Sequence, residues 1–277
     1  MSDPVLAAHP VLAAENLAKR FAGVRAVDGV SLDVRAGEVL AMIGPNGAGK
    51  STCFNLLNGQ ARADAGRVHL LGREITGLPP RKVWRLGIAR TFQVAAVFAS
   101  MSVAETVQVA LLSRDRQLWR PWRRANRYAR DQAHALLGRV GMDWAAERTC
   151  GTLAYGDVKR VELAVALAND PAVLLMDEPT AGMAPAERGQ LMALIQEIAR
   201  AREMAVLFTE HDMDVVFGHA DRVLVLHQGR VLARGTPDQV RREPEVQRVY
   251  LGHPDQPGDP GHPDHPDHPD AGEPSAC

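Results

Sequence analysis

A glycine-rich run of eight residues is the feature that most constrains this chain. Residues 44–51 read GPNGAGKS and fit the pattern G-x-x-x-x-G-K-[ST] at every fixed position. An apolar stretch, Val39–Ile43, precedes the run, and a helix-compatible stretch, Ser51–Leu57, follows it. In a strand–loop–helix of this kind, backbone N–H groups converge on phosphate oxygens, and the helix presents its positive end to the same anion. The sequence therefore predicts a phosphate-binding site.

Two neighbouring carboxylates form the second half of this predicted site. The apolar run Val173–Met176 predicts a buried strand, and Asp177 and Glu178 come directly after it. Ligands bind at the carboxyl ends of parallel strands. We expect Asp177 to hold Mg²⁺ and Glu178 to act as the general base that activates water.

Within the glycine-rich run, two side chains are suited to a nucleotide. Lys50 is expected to place a positive charge between the β- and γ-phosphates, and the Ser51 hydroxyl is expected to be a Mg²⁺ ligand.

The rest of the chain alternates strand-like and helical patterns. Strands are predicted at Ala205–Phe208, Val223–Leu226 and Arg230–Ala233, and a helix at Glu187–Arg202. This alternation predicts an α/β fold with a largely parallel sheet.

The N-terminal part shows a different pattern. Short antiparallel strands are predicted at Val11–Leu17, Ala26–Val27 and Val30–Val34, with turns at Gly23 and at Asp28-Gly29.

A middle block, Val94–Cys150, interrupts the alternation with helical patterns. Its stretch Arg114–Arg130 contains seven arginines. The stretch is interpreted first as a solvated helix face, with contact to acidic partner loops or anionic lipid as the alternative.

Composition excludes several classes of protein. The formal net charge is −1, so the chain offers no electrostatic case for nucleic acid. No apolar run approaches the ~18 residues of a spanning helix, and the first residues do not have the pattern of a secretory signal. Only three cysteines are present, which indicates a reducing compartment such as the cytosol.

The C-terminal tail, residues 253–277, is a distinct low-complexity segment. It contains seven prolines, six acidic residues and no Lys or Arg, so we expect it to be disordered. Its four histidines could bind a transition metal. A solvated tail is favoured, because histidines separated by prolines have no fixed geometry.

Taken together, the motifs of residues 11–252 resemble the nucleotide-binding subunit of ATP-binding cassette (ABC) transporters. The resemblance implies a P-loop NTPase core of the ABC ATPase type, with an N-terminal antiparallel β subdomain and a helical subdomain inserted at about residues 94–170. It also implies ATP as substrate with Mg²⁺ as cofactor.

The resemblance assigns roles to residues outside the two motifs. Phe21 corresponds to the aromatic residue that stacks on adenine. Gln93 corresponds to the glutamine that senses the γ-phosphate and metal and couples to the membrane subunit. Residues 153–157 correspond to the family signature, and His211 to the switch histidine. The implied nucleotide contacts are Phe21, Gly44, Pro45, Asn46, Gly47, Ala48, Gly49, Lys50, Ser51, Thr52, Leu153, Ala154, Tyr155, Gly156 and Asp157. The implied catalytic set is Lys50, Gln93, Glu178 and His211, and the implied metal ligands are Ser51, Gln93 and Asp177.

Three positions depart from the family pattern. Ala154 replaces a serine, Asp157 replaces a glutamine, and Ala184 stands where the family often has aspartate. Loss of the serine hydroxyl removes one hydrogen bond to a γ-phosphate, roughly 1–3 kcal/mol. We expect a weakened contact rather than an inactive site, since Gly156 and the helix end remain.

Several short sequence segments are similar to those of the ATPases of branched-chain amino acid importers, among them residues 209–214 (TEHDMD), 228–230 and 235–237. Lipopolysaccharide-export ATPases share some of these segments. The implied partners are a second ATPase subunit, identical or not, transmembrane permease subunits and, indirectly, a solute-binding protein, at the cytoplasmic face of the inner membrane. A soluble ABC-type switch protein and a non-hydrolysing regulatory module are the alternatives.

Overall fold

A computed structural model describes residues 10–91, 97–115 and 129–251. Its strands form two sheets, one of four strands and one of six. The strands are β1 (Leu12–Phe21), β2 (Val24–Val34), β3 (Val39–Ile43), β4 (Ala65–Leu70), β5 (Arg73–Glu74), β6 (Ile88–Thr91), β7 (Val173–Asp177), β8 (Ala205–Thr209), β9 (Arg222–His227) and β10 (Arg230–Gly235).

The six-stranded sheet has the order β10-β9-β3-β8-β7-β6. All its pairings are parallel except that of β10 with β9 at the edge. The short apolar strands β3 and β8 are buried along their whole length, as strands covered on both faces should be. The prediction of an α/β fold is confirmed. The edge strand β6 was not predicted, because four residues that include Arg90 and Thr91 lack a continuous apolar run.

The four-stranded sheet has the order β2-β1-β4-β5 and is antiparallel throughout. The prediction of a turn at Asp28-Gly29 was wrong, because both residues lie inside the eleven-residue strand β2. Leu17 pairs with Val30 and Ala18 pairs with Asp28, so Gly29, at φ 76°, is left unpaired. A glycine in the left-handed region here produces a β-bulge rather than a chain reversal.

Helices surround the six-stranded sheet and supply the middle block. They are α1 (Lys50–Leu57), α2 (Pro80–Arg85), α3 (Val103–Arg114), α4 (Arg130–Arg139), α5 (Tyr155–Leu167), α6 (Pro185–Ala201), α7 (Met213–His219), α8 (Pro237–Arg242) and the short α9 (Pro244–Val246), which continues as a π-helix at Gln247–Leu251. Short 3₁₀ helices lie at Asp143–Ala145 and Cys150–Thr152. Helix α3 begins with a capping box in which Ser102 and Glu105 satisfy each other's backbone N–H groups. Most of the arginine-rich stretch, residues 116–128, lies outside the described residues, as do Gln93 and the tail from residue 252 onward.

Two apolar clusters lie on opposite faces of the six-stranded sheet. Strand β3 divides its side chains between them: Ala41 and Ile43 contact the cluster that includes α3, α5 and α6, whereas Leu40 and Met42 contact the cluster under the antiparallel sheet and α1. This two-sided packing fixes the carboxyl end of β3, where the glycine-rich run begins. Among the described residues, none of the helices is both long and apolar enough to cross a bilayer.

Candidate functional site

The glycine-rich run connects β3 to α1 in a conformation that requires glycine at its ends. Gly44 has φ 149°, and a Cβ there would lie 2.1 Å from the carbonyl oxygen of Leu226. Gly49 has φ 104°, and a Cβ there would lie 2.4 Å from the carbonyl oxygen of Ala26. The loop is therefore fitted between β2 and β9, and side chains larger than hydrogen at these two positions would push it out of place.

The ammonium group of Lys50 lies beneath this loop. Its Nζ donates hydrogen bonds to the carbonyl oxygens of Gly44 at 2.5 Å and Pro45 at 3.1 Å, and the residue is only 8% exposed. Burial lowers the pKa of Lys50, while the charges of Glu178 and Asp177 act in the opposite direction. A phosphate bound in the loop would stabilise the charged ammonium further, so Lys50 is suited to bind that anion.

Asp177 and Glu178 stand at the carboxyl end of β7, as predicted. The Asp177 carboxylate accepts a hydrogen bond from the Thr209 hydroxyl at 2.7 Å and pairs with Arg90 Nη2 at 3.0 Å. Glu178 has φ 48°, a left-handed conformation that is rare for a residue other than glycine. Its backbone N–H donates to the Thr209 carbonyl at 3.1 Å, which helps to hold this conformation.

The Glu178 side chain is paired with the predicted switch histidine. His211 Nε2 lies 3.0 Å from Glu178 Oε1, and the two side chains are 46% and 23% exposed. Both groups therefore remain accessible to water and to a ligand. The structure brings together Lys50, Asp177, Glu178 and His211, since the charges of Asp177 and Glu178 act on Lys50 and His211 contacts Glu178 directly.

The donor set near these residues fits Mg²⁺. Ser51 is an exposed hydroxyl in the first turn of α1, and Asp177 is a partly exposed carboxylate. Both offer hard oxygen atoms, the ligands that Mg²⁺ prefers. Gln93, the third predicted ligand, lies outside the described residues.

The predicted signature segment begins helix α5 and has different surroundings. Ala154 is the N-cap residue, with no side-chain hydrogen bond to the helix, and both it and Tyr155 are exposed. Gly156 is buried, and a Cβ there would lie 3.3 Å from a carboxylate oxygen of Glu187 in α6. Asp157 lies in the first turn. The signature segment thus packs on α6, whereas the glycine-rich run, residues 44–51, packs on β2 and β9. We call this run the phosphate loop.

Phe21, at the end of β1, is 51% exposed. Its ring is covered on one side by Lys19, whose Nζ lies 5.5 Å from the ring centroid. An exposed aromatic ring of this kind is available to stack on a base.

Four contributors to the site were not predicted from the sequence. Arg90 donates hydrogen bonds to Asn55 and Gln60 as well as to Asp177, and so joins β6, the region of α1 and β7. Thr209 and Glu210 directly precede His211, and Arg188 lies in the first turns of α6. Their positions near predicted residues in the sequence marked them as candidates for the site. A single polar residue beside a motif, however, does not show which distant side chain it will contact.

Comparisons with known proteins bear on this arrangement. A family model described as "ABC transporter" matches residues 27–181, and one described as "Branched-chain amino acid ATP-binding cassette transporter" matches residues 230–256. The chain is 41% identical over 251 residues to the high-affinity branched-chain amino acid transport ATP-binding protein LivG of Salmonella typhimurium, covering 88% of this chain and 98% of that one. It is 41% identical over 254 residues to BraF of Pseudomonas aeruginosa, of the same description, with the same coverage.

Solved structures are similar as well. The crystal structure of a nucleotide-free ATP-binding cassette from an ABC transporter superposes with a TM-score of 0.78 at 32% identity, covering 88% of this chain and all of that one. The ADP conformation of an ATP-binding cassette of an ABC transporter gives the same TM-score and identity, with 88% and 99% coverage.

Proposed function

The chain belongs to the ABC transporter family, whose cassettes couple ATP hydrolysis to transport, and on this premise we propose that it powers the import of branched-chain amino acids. The names of LivG and BraF support the substrate class, and the match at residues 230–256 supports it independently of the phosphate loop. No observation favours lipopolysaccharide export.

The observation that carries the hydrolytic part of the proposal is the contact between Glu178 and His211 beside the phosphate loop. In the proposed reaction, ATP binds with its phosphates in the loop and its base against Phe21. Glu178 accepts a proton from the attacking water, and His211 orients the γ-phosphate relative to that water. Lys50 compensates the negative charge on the phosphates.

Ser51 and Asp177 would hold Mg²⁺, which neutralises charge on the β- and γ-phosphate oxygens when bound. We assign the same role to Gln93 from the resemblance alone. Of the other members of the phosphate loop, Asn46, Gly47 and Ala48 are proposed to contact the nucleotide through their backbone N–H groups, as is Thr52 in the first turn of α1. Pro45 has no N–H to donate, so its proposed contact with the nucleotide is by packing alone.

The different surroundings of the phosphate loop and the signature segment support a paired assembly. One chain carries both, but they pack on different elements: the loop packs on β2 and β9, and the signature on α6. We propose that two such subunits associate head to tail, so that the signature of one closes on the nucleotide of the other. The second subunit is either a copy of this chain or a related cassette.

A groove between the sheet edge and the middle block is the proposed contact with the permease. It encloses about 240 Å³ between β6, α3 and α5, and Phe98, which lines it, is 52% exposed. Trp84, Val109 and Val165 give it an apolar lining. Exposed apolar surface of this kind is typical of a protein contact. Attachment here would place the chain peripherally, at the cytoplasmic face of the membrane, with a solute-binding protein on the other side.

The variant Glu178→Gln tests the hydrolytic assignment. Loss of the general base should lower ATP turnover by about 100-fold or more, while ATP binding is retained and ATP-bound dimers accumulate. Turnover would be measured by phosphate release and dimerisation by size-exclusion chromatography, with Glu197→Gln on the middle of α6 as the matched control. Undiminished turnover in the Glu178 variant would contradict the assignment.

The substrate class needs a separate measurement. The chain would be reconstituted in vesicles with its permease subunits and solute-binding protein, and uptake of radiolabelled leucine would be compared with uptake of lysine. ATP-dependent leucine uptake is expected, and uptake of neither amino acid would contradict the proposal.

A further inference from the structure

We infer that Glu210 is a positioning residue, which with Thr180 fixes Glu178 and His211 in their reactive arrangement. The inference rests on the proposed hydrolytic function and adds to it a residue that the family motifs do not include. It is carried by the contacts that Glu210 makes between two loops: the loop after β7, residues 178–184, and the switch loop after β8, residues 210–212.

The carboxylate of Glu210 is buried and bonded on both oxygens. The residue is 4% exposed and Thr180 is 1% exposed. Oε1 accepts hydrogen bonds from the Thr180 backbone N–H at 2.8 Å and from the Thr180 hydroxyl at 2.7 Å. Oε2 accepts from the His211 backbone N–H at 3.3 Å. A carboxylate is costly to bury unless such bonds are made, so this group favours the one arrangement in which all three are present.

The Glu178–His211 contact has an inter-loop or strand-to-loop hydrogen bond on each side of it. On the strand side, the Glu178 backbone N–H donates to Thr209. On the loop side, Thr180 donates to Glu210. The chain neighbours of Glu178 and of His211 are therefore hydrogen-bonded to each other across the two loops. These bonds keep Glu178 at its unusual φ of 48° and hold its carboxylate 3.0 Å from His211. Backbone in sparsely populated regions persists where its surroundings over-determine it.

A third contact extends the connection toward α6. Arg188 donates to the carbonyl oxygen of Met183 in the first loop at 2.8 Å and pairs closely with Asp212 in the second. Asp212 also caps α7 by accepting from the backbone N–H groups of Asp214 and Val215. This outer contact is about 30% exposed, whereas the Glu210 contact is buried. The buried contact is the one expected to fix the spacing between the loops.

The number of acceptor atoms distinguishes Glu210 from glutamine at this position. A glutamine has one oxygen, which can still accept from Thr180, but its amide nitrogen would face the His211 N–H as a second donor. At position 180, serine keeps the hydroxyl and valine removes it at similar volume. The chain therefore offers matched pairs of variants that keep or lose single hydrogen bonds.

The test compares Glu210→Gln, Thr180→Val and Thr180→Ser in the full-length chain. Turnover number and KM would be measured with ATP, nucleotide affinity by titration with a fluorescent ATP analogue, and folding by thermal unfolding. A misplaced catalytic pair can cost about 100-fold in rate. We expect Glu210→Gln and Thr180→Val to lower the turnover number by roughly 10- to 100-fold with KM and affinity changed less than about threefold, and Thr180→Ser to stay within about twofold.

The double variant Thr180→Val/Glu210→Gln should be no slower than the slower single variant, because the two changes break different hydrogen bonds of one connection, which runs from Thr180 through Glu210 to the His211 backbone. Additive losses, an equal loss in Thr180→Ser, or a loss confined to KM and affinity would overturn the inference. If Glu210→Gln unfolds early, the comparison of Thr180→Val with Thr180→Ser remains decisive, and if a Thr180 variant unfolds early, the comparison of Glu210→Gln with the wild-type chain is decisive instead. The proposed function fails only if the wild-type chain lacks turnover or if Glu178→Gln retains it, so the two failures can be told apart.

Discussion

The phosphate loop and the signature segment are held in very different ways, although both are proposed to contact phosphates. The loop is enclosed by backbone of β2 and β9 and is backed by the buried Lys50. The signature segment exposes Ala154 and Tyr155 and begins a helix without a side-chain cap. One region is complete within a single chain, and the other presents its binding groups outward. Under the proposed head-to-tail assembly, we therefore expect a single chain to bind ATP and cleavage to require the signature segment of a second subunit.

The largest effect is expected from Lys50→Ala. Loss of this charged donor should weaken ATP binding to the isolated chain by roughly 10- to 100-fold, the size of a lost charge-assisted hydrogen bond. Isothermal titration with ATP and Mg²⁺ checks this. Arg81→Ala, on the exposed face of α2, serves as control. Unchanged ATP affinity in the Lys50 variant would show that the loop does not bind the nucleotide by itself. It would contradict the statement that the phosphate loop is complete within a single chain.

A second variant, Ala154→Asp, is aimed at the signature segment. Aspartate is a good N-cap, so α5 should form as before. Its charge, however, would face the approaching phosphate of the partner's nucleotide, and like charges brought together cost several kcal/mol. Turnover should fall by about tenfold or more, while ATP affinity of the monomer stays the same. A matched change to Ser should not lower turnover, and equal turnover in the Asp variant would mean that this segment does not meet a phosphate.

The smallest effect concerns two buried thiols, one in each region. Cys53 lies in α1 below the phosphate loop, and its burial raises its pKa to about 12. Cys150 precedes the signature and contacts the Thr106 hydroxyl at 3.3 Å. Because the segment around Cys150 is a single short turn between exposed residues, we expect it to open more often than α1.

Iodoacetamide labelling at pH 8, followed by peptide mass spectrometry, measures this difference. Cys53 should react several-fold more slowly than Cys150 in the folded chain, and addition of ATP should slow Cys53 further. Both should react at similar rates in denaturant. Faster reaction at Cys53 than at Cys150 in the folded chain would mean that α1 opens more often than the segment around Cys150, contrary to our expectation.

The features that could be predicted from the sequence are those fixed by local chemistry. The phosphate loop could be identified because the spacing of its glycines and Lys50 is fixed. Strands β3, β7, β8 and β9 could be identified because strands buried on both faces are continuously apolar. The predicted membership of the ABC transporter family is confirmed by the matching family model.

The features that could not be predicted depend on pairing across the chain. Gly29 resembles a turn glycine, and only the pairing of its neighbours Asp28 and Val30 with β1 shows that it forms a bulge. Arg90 and Asp177 are separated by 87 positions, and Glu210 and Thr180 by 30, so their contacts depend on the order of strands in the sheet. That order follows from the packing of the whole domain and not from the residues next to each motif.

The place of the phosphate loop between two sheets has a mechanical consequence. Ala48 accepts a hydrogen bond from Gly229 at 3.0 Å, and the Gly229 carbonyl in turn accepts from Asp28 at 2.8 Å, so the loop is bonded to the β9–β10 hairpin and, through it, to β2. Protein interiors are close-packed, and neither sheet could rotate against the other without displacing this chain of bonds. A nucleotide bound in the loop would therefore press on a segment that is bonded to both sheets, and any displacement of the loop would be transmitted to both.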